Sequence, residues 1–255
     1  AVKRSMPTLY KISLRKWFEK RKKKANGDGQ SKNKKVLLFC DEFTNYNDTE
    51  IGIKAVLLLE KLGYEVVMPQ HEESGRAWMS KGLLREAKKI ANKNIQIFSK
   101  MVTAEAPLIG IEPSAILTFR DEYIDLADDE NVEAAKNLSK NVFIIDEFIA
   151  REIERGNIDK SSFTTKKRHI KLHGHCQQKA LSSMAPSVKM MSLPENYSVE
   201  NIPSGCCGMA GSFGYEKEHY DLSMKIGELV LFPAVRNKMD DEIVAAPGTS
   251  CRHQI

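Results

Sequence analysis

The sequence predicts an α/β fold of two duplicated, Rossmann-like βα units with parallel sheets, and three observations support it. Short apolar runs alternate with stretches of helical periodicity along most of the 255 residues. The same order of strand, loop and helix occurs twice, which indicates an internal duplication. Most apolar runs end in loops that contain Gly, Cys, His or Glu. Such alternation is typical of parallel strands joined by right-handed crossovers.

Three segments are expected along the chain. Residues 1–33 form a peripheral segment and linker, residues 34–155 a degenerate first repeat, and residues 156–255 a second repeat that carries the cysteine ligands. Apolar residues at 9–18 predict a short amphipathic helix. The run 25–31 contains Gly, Asn and Ser between two groups of lysines, which predicts a flexible linker.

The first repeat has three apolar runs of strand length. The predicted strands are 36–39, 64–69 and 107–111, and the predicted helices are 50–62, 80–92, 131–138 and 142–155. The helix 50–62 has apolar residues at helical spacing and stops at Gly63, a good C-cap. Ser80 is expected to cap the next helix.

The second repeat follows the same order. The predicted strands are 169–172, 188–193 and 242–246, and the predicted helices are 177–182 and 216–231. Between the second strand and its helix lies the loop 204–208, which contains two adjacent cysteines between glycines.

Composition excludes several classes of protein. The net charge is +5, and much of it lies in the basic run 20–24 and the lysines that follow. No recognisable nucleic-acid module accompanies this run, so no nucleic-acid partner is expected. No apolar run approaches the roughly 18 residues of a membrane helix, and no secretory signal is visible. A cytoplasmic protein is expected. No Ser–His–Asp set, phosphate loop or dinucleotide motif is convincing, so no catalytic residue is predicted.

The cysteine pattern points to a metal. The cysteine count is odd and two cysteines are adjacent, which indicates metal binding in a reducing compartment rather than disulfides. Cys176, Cys206, Cys207 and Cys251 each follow a predicted strand. Because loops after parallel strands gather at one edge of the sheet, these thiolates are expected to converge there. Four thiolates can hold an iron–sulfur cluster or a zinc ion, so the second unit is predicted to carry the metal site.

Several residues flank the predicted ligands. Gly205 and Gly208 let the backbone approach closely and adopt positive φ. His173, His175 and His253 are expected to be hydrogen-bonding neighbours of the ligands or structural residues, with direct ligation as the less favoured alternative.

Three sequence segments of the second repeat resemble a known family. The pattern of Cys176, then Cys206-Cys207-Gly208, then Cys251 resembles the cysteine-rich CCG domain of heterodisulfide reductase B subunits and glycolate oxidase iron–sulfur subunits. The phrases 173–180, 204–215 and 247–255 look like the C-terminal end of fused FAD-linked dehydrogenases of the D-lactate and D-2-hydroxyglutarate type. The resemblance spans about residues 34–255.

The resemblance implies an electron-transfer role. In that family a flavin domain oxidises the hydroxy acid, and ferredoxin-like and CCG domains take the electrons away. It implies an iron–sulfur cluster here, expected to be 4Fe-4S, and FAD on a domain that this chain does not contain. The implied partners are a flavin dehydrogenase domain or subunit, a ferredoxin-like domain, and a quinone or membrane acceptor. The chain would relay electrons at the inner face of a membrane without being a catalyst alone.

The sequence departs from the family pattern at several positions. The first cysteine of the closing Cys-x-x-Cys is replaced by Gly248. The first repeat keeps only Cys40, which is expected to be core or a vestige of a ligand. Its other ligand positions read Glu73-Ser74-Gly75 and Glu112-Pro113-Ser114-Ala115, and Glu112 is expected in a solvated loop.

Other functions remain open on the sequence. The same cysteines could form a zinc-stabilised structural or interaction domain, or a cluster that reduces disulfides. A nucleotide-binding α/β domain with incidental cysteines is the remaining alternative.

Overall fold

A computed structural model describes residues 3–24 and 34–255 of the protein. The predicted linker at 25–31 lies outside the described residues. The chain divides into two units. The N-terminal unit is Thr8–Ile145, and the C-terminal unit is Asp146–Ile255 together with the first residues of the chain up to Pro7.

The N-terminal unit contains a parallel sheet in the order β2-β1-β3-β4. Its strands are β1 (Lys34–Phe39), β2 (Tyr64–Val67), β3 (Leu108–Gly110) and β4 (Val142–Ile144). Its helices are α1 (Leu14–Lys24), α2 (Glu42–Tyr46), α3 (Thr49–Lys61), α4 (Arg76–Ser80), α5 (Leu84–Phe98), α6 (Pro113–Ile116), α7 (Glu122–Leu126) and α8 (Val132–Ser139). Short 3-10 turns occupy Leu117–Arg120 and Asp129–Asn131.

The C-terminal unit contains a parallel sheet in the order β6-β5-β7. Its strands are β5 (Arg168–His173), β6 (Tyr197–Ile202) and β7 (Glu242–Ala245). The helices of this part of the chain are α9 (Ile145–Glu154), α10 (Cys176–Leu181), α11 (Ala185–Met191), α12 (Tyr220–Leu229), α13 (Leu231–Arg236) and α14 (Thr249–Gln254). Short 3-10 turns lie at Lys160–Ser162 and Phe213–Tyr215.

The two sheets share one topology, and the predicted α/β fold class is confirmed. In each unit the first strand along the chain is central, the second lies on one side of it and the third on the other. The N-terminal unit adds β4 outside β3. In both units a helix follows the central strand after a short loop. This shared order is what an internal duplication predicts.

Three predicted elements were wrong. Residues 142–144 form the edge strand β4, not the start of a helix, because Val-Phe-Ile is an apolar run that pairs with β3. Residues 188–193 do not form a strand. Pro186 lies in the first turn of α11, and the strand follows at Tyr197–Ile202, where half-buried and exposed residues largely alternate. Ser80 ends the short helix α4 instead of capping α5.

Each unit has an apolar core beneath the carboxyl ends of its strands. In the N-terminal unit the ring of Phe39 contacts Phe98 and Phe119 edge-on, with centroids 5.9 and 5.2 Å away. In the C-terminal unit the core cluster contains Cys207 and Cys251. None of the helices that the structure describes is long and apolar enough to cross a membrane.

Candidate metal centre

Three loops bring the cysteines of the C-terminal unit to one edge of its sheet. After β5 the chain turns at Gly174, and His175 caps α10 by accepting a hydrogen bond at Nδ1 from the backbone N–H of Gln177. Cys176 is the first residue of that helix and is exposed. Because β6 and β7 run parallel to β5 on either side, the loops that follow all three strands emerge at the same edge.

The loop after β6 carries the two adjacent cysteines. Gly208, which follows them, has a φ of +93°. A side chain is strained at this φ, so the turn requires glycine. The backbone N–H of Gly208 donates to Cys206 Sγ at 3.3 Å. This turn directs Cys207 into the core, where it is 2% exposed, and leaves Cys206 partly exposed.

The thiols form a continuous row. Hydrogen bonds between side chains link Cys176 with Cys206, Cys206 with Cys207, and Cys207 with Cys251. Cys251 lies in the first turn of α14 and is 1% exposed. The row therefore runs from an exposed end at Cys176 to a buried end at Cys251.

The direction of the pKa shift alternates from one thiol to the next along the row. The pKa of Cys206 is lowered because Cys176 and Cys207 hydrogen-bond its sulfur, and the pKa of Cys251 is lowered because Cys207 does the same. The pKa values of Cys176 and Cys207 are raised because each shares its proton with a neighbouring sulfur. Thiolates are the form of cysteine that binds metals, and the lowered pKa values favour this form at Cys206 and Cys251.

His173 lies at the buried end of the row. A ring nitrogen of His173 and the sulfurs of Cys207 and Cys251 all lie within 4.8 Å of one another. Nε2 of His173 is buried, and the ring of His173 interacts with the side chain of Cys251. A converging set of thiols and an imidazole nitrogen suits the soft or borderline cations found in zinc and iron–sulfur sites. The residues present therefore fit a metal group.

The other two histidines have different surroundings. The ring of His175 fills the space beside Gly248, because a Cβ at position 248 would lie 2.2 Å from Cδ2 of that ring. A cysteine at position 248 would therefore displace His175. His253 shares a hydrogen bond of 3.0 Å between its Nδ1 and the hydroxyl of Tyr215. Among the described residues, neither histidine joins the group that His173 forms with Cys207 and Cys251.

Two residues near the thiols were not predicted from the sequence. Lys179 donates from Nζ to the backbone oxygens of Ser204 and Gly205, at 2.8 and 2.7 Å. The hydroxyl of Ser204 lies 2.6 Å from Nδ1 of His173. The spacing of Lys179 could have indicated its place near the site, since a residue three positions after Cys176 lies on the same face of a helix.

Replacing Lys179 with Met should loosen the loop that carries Cys206 and Cys207. The variant keeps the apolar stem but loses both hydrogen bonds to the loop. We expect bound metal to be lost to a chelator about tenfold faster, in line with the effect of removing groups that support metal ligands. The measurement is the rate of metal transfer to a coloured chelator. Lys189→Met is the matched control, because Lys189 pairs with the surface residue Glu154 in α9 and with no thiol-bearing loop among the described residues. An equal effect there would contradict the prediction.

The corresponding edge of the N-terminal unit holds carboxylates. Glu42 is the first residue of α2 after its cap Asp41, as Cys176 is the first residue of α10 after its cap His175. The caps therefore align Cys176 with Glu42, two positions after the expected counterpart Cys40. Cys40 is buried, and its sulfur lies 3.5 Å from Oδ1 of Asn45.

The loop residues correspond in the same way. Ser74 precedes Gly75, which has a φ of +72°, as Cys207 precedes Gly208. The carboxylate of Glu42 accepts hydrogen bonds from the backbone N–H and the hydroxyl of Ser74, at 2.9 and 2.6 Å. Glu112 is 2% exposed and accepts hydrogen bonds from Ser114, so its predicted solvated position was wrong.

Replacing Asp41 with Asn should change how stability depends on pH. Burial raises the pKa of the Asp41 carboxyl to about 8, and Glu42 and Glu112 add to the effect. The folded state keeps a proton that the unfolded chain releases near pH 4. The contribution of Asp41 to the free energy of unfolding therefore declines as pH rises from about 4 to about 8. Asn cannot ionise, and its oxygen can still accept from the Thr44 N–H.

The free energy of unfolding should therefore decline less with rising pH in Asp41→Asn than in the wild type. Urea denaturation midpoints at about pH 5 and about pH 8 measure it. Asp125→Asn, at an exposed position of α7, is the control. The same decline in Asp41→Asn and in the wild type would show that Asp41 is already ionised in the folded protein.

Several known proteins are similar in sequence to this chain. It is 29% identical to D-2-hydroxyglutarate dehydrogenase of Escherichia coli, over 89% of this chain and 21% of that protein. It is 24% identical to a subunit of the anaerobic glycerol-3-phosphate dehydrogenase of the same species, over 99% of this chain and 61% of that subunit. Lactate utilization protein A of Bacillus subtilis is 26% identical over 70% of this chain and 74% of that protein.

The chain spans about a fifth of the length of the D-2-hydroxyglutarate dehydrogenases that it matches. No family model matches it. The three kinds of relative are dehydrogenases, a dehydrogenase subunit and a lactate utilization protein. These relatives confirm the resemblance to the D-2-hydroxyacid dehydrogenases that the cysteine motifs indicated.

Proposed function

We propose that this chain is the iron–sulfur electron-transfer module of a flavin-linked 2-hydroxyacid dehydrogenase. It would take electrons from the reduced flavin and pass them to a quinone or another carrier. The observation that carries the proposal is the row of thiols from Cys176 to Cys251 at one sheet edge. The names of the relatives, D-2-hydroxyglutarate dehydrogenase and a glycerol-3-phosphate dehydrogenase subunit, support an oxidoreductase setting.

The candidate metal donors are Cys176, Cys206, Cys207 and Cys251. A cluster bound to them, expected to be 4Fe-4S, supplies a one-electron carrier. Cys207 and Cys251 lie in an apolar cluster and keep water from the inner side of the site. Cys176 is exposed and marks the side from which an electron donor or acceptor can approach. Lys179 fixes the loop between them by its two hydrogen bonds.

The proposed partners follow from this role. They are a flavin dehydrogenase domain or subunit, a ferredoxin-like domain, and a quinone or membrane acceptor. FAD would belong to the flavin domain. The module would work in the cytoplasm, at the inner face of the membrane where its acceptor lies, and would not turn over a substrate alone.

A zinc-stabilised structural domain is the second candidate. It is favoured by the closeness of His173 to Cys207 and Cys251, because three cysteines and one histidine form a common structural zinc site. This candidate makes no use of the exposed end of the row at Cys176.

Anaerobic purification followed by iron, sulfide and zinc analysis tests the proposal. The relay function predicts about four iron and four sulfide ions per chain, with an EPR signal on one-electron reduction. Zinc without sulfide, and no iron uptake on reconstitution, would favour the structural domain. A chain that takes up neither metal would contradict both candidates.

A further inference from the structure

The imidazole of His173 is held in one orientation. It is the last residue of β5 and has no exposed surface. Its Nδ1 lies 2.6 Å from the hydroxyl oxygen of Ser204, the residue two positions before Cys206. Its Nε2 is buried. One ring nitrogen of His173 and the sulfurs of Cys207 and Cys251 lie within 4.8 Å of one another, and Nδ1 is the nitrogen that Ser204 contacts.

Ser204 contacts the other ring nitrogen of His173. The hydroxyl of Ser204 lies 2.6 Å from Nδ1 and also contacts the backbone oxygen of Ile202, at 3.4 Å. A hydroxyl can accept a hydrogen bond as well as donate one, so Nδ1–H can donate to Ser204 when Nε2 binds a metal. Histidines that bind metals are oriented by such a hydrogen bond at their other ring nitrogen.

We infer that His173 is a metal ligand through Nε2, beside Cys207 and Cys251, and that Cys176 is the dispensable thiol. The inference rests on the proposed metal site. Five donor side chains are present where a 4Fe-4S cluster or a zinc ion takes four. Cys176 is the exposed one and lies at the end of the row opposite to His173. The inferred ligand set is His173, Cys206, Cys207 and Cys251, in which His173 replaces Cys176 of the proposed four-thiol set.

The first experiment removes the exposed thiol. Because Cys176 is exposed, Cys176→Ser should fold as the wild type does. If His173 is a ligand, anaerobically reconstituted Cys176→Ser keeps its metal stoichiometry within about twofold of the wild type. If the site instead depends on all four thiols, this variant loses its metal as completely as a variant of a buried cysteine does, and the inference is wrong.

The second experiment detects the nitrogen directly. In protein labelled with 15N-histidine, pulsed EPR of the reduced cluster should show strong coupling to one histidine nitrogen. His173→Gln should lose this coupling, and it should retain about tenfold less metal in the presence of a chelator. His169→Gln, on the same strand but at the far end from the loops, is the matched control and should keep both. Coupling that persists in His173→Gln would overturn the inference.

The two proposals fail in distinguishable ways. If the protein holds zinc and no iron, the electron-transfer function fails, and zinc-edge X-ray absorption then tests the ligand instead. One nitrogen neighbour of the zinc beside three sulfur neighbours supports His173 as a ligand. Four sulfur neighbours overturn the inference. A wild-type chain that takes up neither iron nor zinc overturns both proposals.

Discussion

Replacing Cys207 with Ser is expected to remove the metal from the protein, with retained iron at least about tenfold below the wild type. Cys207 is in the middle of the row, where it contacts both Cys206 and Cys251. It also lies within 4.8 Å of the ring nitrogen of His173. A serine hydroxyl is a harder donor than a thiolate and stays protonated near neutral pH, so it cannot replace the sulfur.

The matched control is Cys40→Ser. Cys40 is also buried at the end of a central strand, but its neighbours in the N-terminal unit are Asn45, Arg15 and carboxyl groups rather than thiols. Iron and sulfide content with circular dichroism of each variant measures the effect. Full iron content in Cys207→Ser, or equal loss in Cys40→Ser, would contradict the proposed site.

The same variant tests the direction of electron flow in the intact enzyme. Under the proposed relay, Cys207→Ser spares reduction of the flavin by substrate and slows turnover with a quinone analogue. Stopped-flow reduction of the flavin, compared with steady-state turnover, separates the two steps. Loss of flavin reduction while the flavin domain stays folded would mean that this module takes part in substrate chemistry.

The central strands could be predicted from the sequence because they are buried and flanked by turn residues. Residues 36–39 are apolar throughout and lie within β1. The helix 50–62 ended as predicted at Gly63, whose φ is +93°. These elements depend on local apolar runs and caps, which a single sequence displays directly.

The edge strands could not be predicted in the same way. β6 contains Ser198, Glu200 and Asn201 on positions that are exposed, so its apolar content is low. The apolar residues Val188, Met190 and Met191 belong instead to α11, where they are half-buried. At the edge of a sheet, pairing with the neighbouring strand decides the structure more than composition does.

The gathering of the four cysteines at one sheet edge was predictable, but the position of His173 beside two of them was not. Four cysteines after parallel strands follow from topology alone. The position of Nε2 depends on the hydroxyl of Ser204, which comes from another loop. The alignment of Glu42 with Cys176 likewise depends on where α2 and α10 begin. Such contacts between distant residues leave no local periodicity in a sequence.

Replacing Gly208 with Ala is expected to disrupt both the fold of the C-terminal unit and its metal site. The φ of +93° strains any residue with a Cβ, at about 1–2 kcal/mol. The new Cβ would also lie 2.2 Å from the backbone oxygen of Ser223 in α12 and 3.1 Å from Nε2 of Gln254. Relief of such overpacking by backbone shifts costs about 1–3 kcal/mol more.

The clash matters because Gly208 lies between two elements that support the site. Gln254, in α14, donates from Nε2 to the same Ser223 oxygen at 3.2 Å. A shift that makes room for the added methyl group would therefore move α12 and break this bond near Cys251. We expect the C-terminal unit to lose about 3 kcal/mol of stability and the protein to lose most of its bound metal.

Gly205→Ala separates this effect from the general loss of a glycine. Gly205 is on the other side of the two cysteines, its φ is not positive, and its added Cβ would meet nothing within 4 Å. We expect this variant to keep its metal and its thermal stability, while Gly208→Ala loses both. Metal analysis and thermal unfolding of the two variants side by side provide the measurement. Equal behaviour would mean that the close approach of the loop to α12 does not hold Cys207 in place, because Gly208 makes that approach and Gly205 does not.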